Sequence, residues 1–234
     1  MTGSVEAVTA ARAALHAVAE SILAGHQHRL AGTIRLTVAR DGFATITRLP
    51  GTPSGLSVTL SSDGAAHLVL EPEGTALPLE GTLGDLARAA GVPNAAPAGV
   101  YDAPTRPDTF PLVCPPAGAA VVLGALRDGD RALREFAAAH AVAPDAGGRP
   151  VLWPEHFDVG ISLDQVNYGI SPGDAARPEP YAYVGPFTPR HGAFWNELFG
   201  AARPLTDLRD VSGIVEFFQE GRRQAMPAGS GAQA

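Results

Sequence analysis

Apolar residues recur along this chain with two periods. Residues 4–24 carry Val8, Leu15, Val18, Ile22 and Leu23 at helical spacing, and Gly25 stands where such a helix would stop. The period then changes to two. In TIRLTVAR (33–40), Ile34, Leu36 and Val38 point one way and Arg35 and Thr37 the other, the mark of a half-buried strand. Asp41-Gly42 turns the chain into FATITRL, and LSVTLSSDGAAHLVLEP reads as a hairpin over 56–70 around Ser62-Asp63-Gly64.

TLGDLARAAGV predicts a short helix capped by Thr82 and stopped by Gly91. Residues 92–117 are rich in Pro and Ala and read as a wrapping loop anchored by Val100, Tyr101, Phe110 and Leu112. A helix follows at about 118–140, with Val122, Leu126, Leu133 and Phe136 on one stripe, and another at 213–222. These elements predict an α+β fold, an antiparallel sheet with N-terminal, central and C-terminal helices packed on it. Eleven of the 15 aromatic residues fall between Trp153 and Phe218, so the N-terminal half has few of its own for a core. The expectation is one domain over 1–226, in which halves 1–91 and 118–226 share a core across the loop 92–117, followed by a disordered tail at 227–234. No internal repeat shows at a fixed period.

The chemistry concentrates in WPEHFDVGISLDQVNYGISPGD (153–174). An extended 155–164 puts Phe157, Val159, Ile161 and Leu163 on one face and His156, Asp158, Gly160, Ser162 and Asp164 on the other. QVNYG and SPGD then turn the chain, and PEPYAYVGPF returns beside that strand with Tyr181 and Tyr183 on a shared face. His156 and Asp158 are the candidate catalytic pair, because a carboxylate can fix the tautomer of an imidazole that titrates near neutrality. Asp164, Glu179 and His191 are further groups for such a pocket. Trp153, Asn167, Tyr168, Asp174, Tyr181, Tyr183, His191 and Trp195 are the candidate ligand-binding residues, an aromatic lining with a few polar groups. The competing reading is a polar strand face that meets only water. Two functions follow: a small-molecule binding protein or enzyme with its pocket in 153–196, or a non-catalytic interaction or dimerisation module using the same aromatic surface.

Composition narrows the choice. A formal charge of −7, with all 17 basic residues arginine, opposes nucleic-acid binding, and the absence of lysine excludes Schiff-base chemistry. Cys114, the single cysteine, has no partner for an internal disulfide, and its setting between prolines reads as an inert thiol rather than a nucleophile. The N-terminus lacks a basic leader, and no stretch approaches the roughly 20 apolar residues of a membrane span, so a cytoplasmic protein without membrane contact is expected. His26 and His28 in GHQHR either share a strand face that could bind a metal or sit at a helix end. No H-E-x-x-H helix or comparable ligand spacing is present, so metal and cofactor are left unknown, and oligomerisation is left open.

LWPEHFDVGISL, VNYGISPGD, PEPYAYVGPF and FWNELFGA, in that order, resemble the C-terminal half of a family of uncharacterised actinobacterial proteins, and TIRLTVARDGFAT with TLGDLARAAGV resembles its N-terminal half. The shared features reduce to LWPEHFD, NYGxSPGD, PEPYxYVGP and FWN. The resemblance spans most of the chain and implies a single domain. It implies no reaction and no assigned residues.

Overall fold

The computed structural model describes residues 3–46, 48–144 and 147–226. Ten strands make one antiparallel sheet in the spatial order β10-β9-β8-β7-β6-β1-β2-β3-β4-β5. In chain order they are β1 (Leu36–Ala39), β2 (Gly42–Thr45), β3 (Gly55–Leu60), β4 (Ala66–Glu71), β5 (Thr75–Pro78), β6 (Val151–Trp153), β7 (Asp158–Leu163), β8 (Val166–Ser171), β9 (Tyr181–Pro186) and β10 (Ala201–Pro204). Helix α4 (Pro116–Ala139) lies against β7 and β8, α6 (Val211–Ala225) packs on α4 and β9, and α1 (Val5–Ala17) packs on α4. The fold is therefore α+β with an antiparallel sheet, as the two periods predict. The hairpin over 56–70 is β3 and β4, closed by a hydrogen bond from Ser61 N–H to Ala65 O. The short helix is α3 (Leu83–Ala90), with the Thr82 hydroxyl accepting from Asp85 N–H and Gly91 in the left-handed region.

The N-terminal helix departs from expectation. It does not stop at Gly25 but runs on through a π-helical segment (Val18–Ala24) and α2 (Gly25–Ala31), ending where Gly32 takes a φ of 69° and donates to His28 O. Gly25 serves packing instead: a Cβ there would collide with the Ala95 carbonyl of the loop that crosses the helix. The same crossing exploits the wider π turn, whose Ser21 carbonyl accepts from Ala95 N–H. His26 and His28 thus lie inside a helix, about 200° apart around its axis, rather than on a strand face. The continuous helix Val5–Ala31 also corrects the expectation of no span-length apolar stretch, since its 27 residues reach the length and mean hydropathy of a membrane-crossing helix. Its apolar window is 67% buried inside the protein, which is how the core helix of a globular fold passes the same test.

Glu20, in the π segment, is buried and ion-pairs with Arg106 while accepting from the Tyr101 hydroxyl at 3.0 Å. That cluster fastens the loop 92–115 to the helix. Leu112 is buried, and Tyr101 and Phe110 are packed on the core, but Val100 is exposed and anchors nothing. The predicted central helix is α4, and the predicted stripe of Val122, Leu126, Leu133 and Phe136 is fully buried. RDGDR does not break it, because Gly129 sits where Val159 and Ile170 press against the helix and charged neighbours face outward.

The two halves share a topology although no sequence repeat announces it. Each has a leading helix, a five-strand meander and a closing helix, and the first strands of the two meanders, β1 and β6, meet antiparallel at Leu36↔Leu152. The expected tail at 227–234 lies outside the described residues.

Two identical substitutions should move stability in opposite directions. Gly25→Ala forces the Ala95 loop off the helix and should cost about 1–3 kcal/mol. Gly124→Ala, in α4 where the added Cβ would meet only the Arg127 guanidinium at 3.9 Å, should stabilise by up to about 1 kcal/mol. Urea unfolding of the two variants checks both signs.

Candidate functional site

With helices on one face of the C-terminal meander, its other face is open, and strand alternation decides what it presents. Val159, Tyr168, Ile170, Ala182 and Val184 turn toward the helices and are buried. Tyr168 packs there against Phe136 and Phe218, with ring centroids 4.6 and 5.8 Å away. Asp158, Gly160, Ser162, Asn167, Ser171, Tyr181, Tyr183 and Gly185 line clefts on the open face.

The hairpin register explains this arrangement and corrects an expectation. QVNYG is not a turn. The chain reverses at Asp164-Gln165, both with positive φ (52° and 61°), and VNYGIS is itself β8, paired to β7 through Ser162↔Asn167 and Gly160↔Gly169. Such a two-residue turn usually advertises itself by Asn-Gly or Asp-Gly, which is missing here. Asp164 is held instead by an ion pair with Arg222 at 2.6 Å. PEPYAYVGPF is therefore one strand further out, as β9, pairing with β8 and not β7.

Tyr183 nevertheless reaches Asp158. Its ring lies across β8 and its hydroxyl reaches β7, over Gly169 and Gly160, and a Cβ at Gly169 would collide with the ring. Its hydroxyl donates to Asp158 Oδ2. Asp158 Oδ1 is shielded from bulk water and has no hydrogen-bond partner among the described residues. The preceding residue, Phe157, is buried at a φ of 53°, strained for a bulky side chain. It is clamped by a stacked His16 at 5.3 Å and an edge-on Phe43 at 5.6 Å, while His16 Nε2 is 2.8 Å from Pro154 O. Helix α1 thus fixes the turn that delivers Asp158 to the open face. Burial pushes His16 down to about 4, which keeps this clamp neutral around neutral pH.

Two carboxyl groups in this region are driven apart. Burial pushes Asp158 up to about 6, with Glu155 adding to the rise and the Tyr183 hydrogen bond and His156 opposing it. Asp174 also suffers from burial, yet hydrogen bonds from the Tyr181 hydroxyl (2.6 Å) and from the N–H groups of Arg177 and Ala176 (2.7 Å each) hold it below the usual carboxylate range. One group is poised to exchange a proton near neutrality and the other stays ionised, a separation typical of acid–base sites. Tyr181 is pushed up to about 12 by burial and by Asp174, so it remains a donor.

The main cleft encloses about 800 Å³ and draws on both halves of the chain: Arg35, Thr37, Thr45 and Ile46 from the first, and Arg149, Trp153, Glu155, His156, Asp158 and Tyr183 from the second. A second cleft of about 580 Å³ shares His156, Asp158, Asn167 and Tyr183 and extends past Asp174 and Tyr181 to Phe187 and Phe199. Of the predicted residues, Trp153, His156, Asp158, Asn167, Asp174, Tyr181 and Tyr183 come together here. Three do not line either cleft. Tyr168 is in the core because its strand position has the wrong parity, His191 is exposed, and Trp195 packs edge-on against Phe194 at 4.9 Å. Glu179 is also exposed and outside both clefts. Arg35, Glu155 and Arg149 were missed by the sequence reading of the site. The outward alternation of Arg35 and Thr37 was a signal, but only strand order reveals that β1 adjoins β6.

Among the described residues, no group of three or more His, Cys, Asp or Glu side chains could hold a metal ion. Cys114 is half-buried, and burial pushes its thiol up to about 11, away from nucleophilic use. No family model, curated protein or solved structure matches the chain.

Asp158 offers a titration test with a definite sign. Its carboxyl holds a proton more firmly in the folded protein than in the unfolded chain, so its contribution favours folding below about pH 4 and is lost as pH rises through about 6. Asp158→Asn, which does not titrate, should therefore gain stability relative to the parent between those limits, by about 1–3 kcal/mol. Urea unfolding at the two ends of that range measures it. Gly169→Ala should displace Tyr183 and raise the Asp158 titration further, read from the carboxyl carbon shift by NMR.

Proposed function

We propose that the protein binds a small polar molecule in the open-face cleft and that Asp158 exchanges a proton with it. The observation that carries this reading is the buried Asp158, tethered by Tyr183 on one oxygen and unpartnered on the other, inside a cleft of about 800 Å³. A strand face that only met water would hydrate both oxygens, and a buried carboxylate oxygen left unmatched costs about 1–3 kcal/mol or more. A ligand that displaces the cover over Oδ1 and donates to it removes that cost. Concave sites with aromatic walls and a few convergent polar groups are the usual form of small-molecule sites. The resemblance to an actinobacterial family and a cytoplasmic location remain parts of this proposal that carry no reaction with them.

A second reading, a protein-interaction surface, draws on the apolar lip formed by Phe187, Leu198 and Phe199, all exposed. A fragment screen by amide NMR separates the two. Shifts centred on Asp158, Asn167 and Tyr183, lost in Asp158→Asn with the rest of the spectrum intact, are the expected outcome. Absence of any hit in the cleft, with self-association that Leu198→Ser and Phe199→Ser abolish, favours the interaction reading instead.

A further inference from the structure

The cleft is lined by groups of both charges. Its lining includes Arg35 and Arg149, neither of which has an ion pair among the described residues. The Arg35 guanidinium is held 5.6 Å from the centre of the Trp153 ring, which orients it without neutralising it. On its acidic side, Glu155 Oε2 and Asp158 Oδ1 are both shielded from bulk solvent and both lack a hydrogen-bond partner among the described residues. His156 lies beside them at the exposed rim. Strand register sets the separation: Leu36 pairs with Leu152 and Trp153 pairs with Asp158, so Arg35 and Asp158 stand on strands two spacings apart, about 10 Å.

We infer that the ligand of this cleft is amphoteric, a small molecule with a carboxylate bound by Arg35 and Arg149 and, several bonds away, an amine or amidine bound by Asp158 and Glu155, as in an ω-amino acid or a short peptide. The inference rests on the small-molecule reading above and adds the ligand's charge pattern. A guanidinium free to pair is suited to a carboxylate, and carboxylate oxygens without donors are suited to a cationic nitrogen. Trp153, on the strand between Arg35 and Asp158, lines the same cleft and adds apolar surface for the connecting carbons. A purely anionic ligand would leave the two buried acceptors unmatched, and a purely cationic one would leave the two arginines unused.

Three probes on the same six-carbon chain test this: 6-aminohexanoate, hexanoate and hexylamine, titrated into the whole protein by NMR above the Asp158 transition. The expected result is that 6-aminohexanoate binds at least about tenfold more tightly than either single-charge probe. In Arg35→Gln/Arg149→Gln the advantage over hexylamine should vanish while that over hexanoate remains, and in Glu155→Gln the advantage over hexanoate should shrink. The inference is overturned if hexanoate or hexylamine matches 6-aminohexanoate, or if none of the three shifts a cleft resonance. That failure is distinct from failure of the cleft reading, which a single-charge or neutral fragment seated at Asp158 would leave standing.

Discussion

The hydrogen bond from Tyr183 to Asp158 is the contact around which the open face of the sheet is arranged. It joins β9 to β7 over the top of β8, a reach the tyrosine makes by lying flat, which requires that the positions beneath it carry no side chains. Gly160 and Gly169 meet that condition. The glycines weaken strands in isolation, since they add backbone entropy and nothing to pack. Their cost is offset on the opposite face, where Val159, Tyr168 and Ile170 bind the same strands to α4 and α6. A hydrogen-bonded tether of this kind also orders the carboxyl group ahead of any ligand, which reduces the entropy lost on binding.

How much of this was legible in the sequence depends on the range of the interaction responsible. Local signals served well: the Thr82 cap, the Asp63-Gly64 hairpin, the stripe on α4 and the alternation that separates Val159 from Asp158 all follow from residues a few positions apart. Gly25 misled because glycine marks both helix ends and close approaches, and the chain that approaches it is some 70 residues away at Ala95. The reversal at Asp164-Gln165 was hidden because tertiary contacts, among them Arg222, stabilise a conformation that these side chains do not request. Misplacing that turn moved PEPYAYVGPF one strand inward and left Tyr168, a core residue, among the candidate binding groups. The tyrosine–aspartate contact was anticipated even so, because both residues face the same side and the intervening glycines permit the longer reach.

Arg35 and Arg149 illustrate a different limit. Nothing in the local sequence connects Arg35 with the aromatic segment, since the adjacency of β1 and β6 is a property of how two meanders meet, whereas Arg149 stands only four residues before Trp153. Composition pointed to 153–196 as chemically rich, and seven of its candidate residues do line the two clefts. Arg35 comes from elsewhere in the chain, and only topology supplies it.

The meeting of the meanders has a mechanical consequence. Neighbouring strands elsewhere share three to six registered pairs, whereas β1 and β6 share the one at Leu36↔Leu152. The seam between the halves is therefore the narrowest part of the ladder, and the main cleft straddles it. A molecule gripped from both sides would act as a removable rivet, adding to the cohesion of the halves a free energy that grows with the logarithm of its concentration above its dissociation constant.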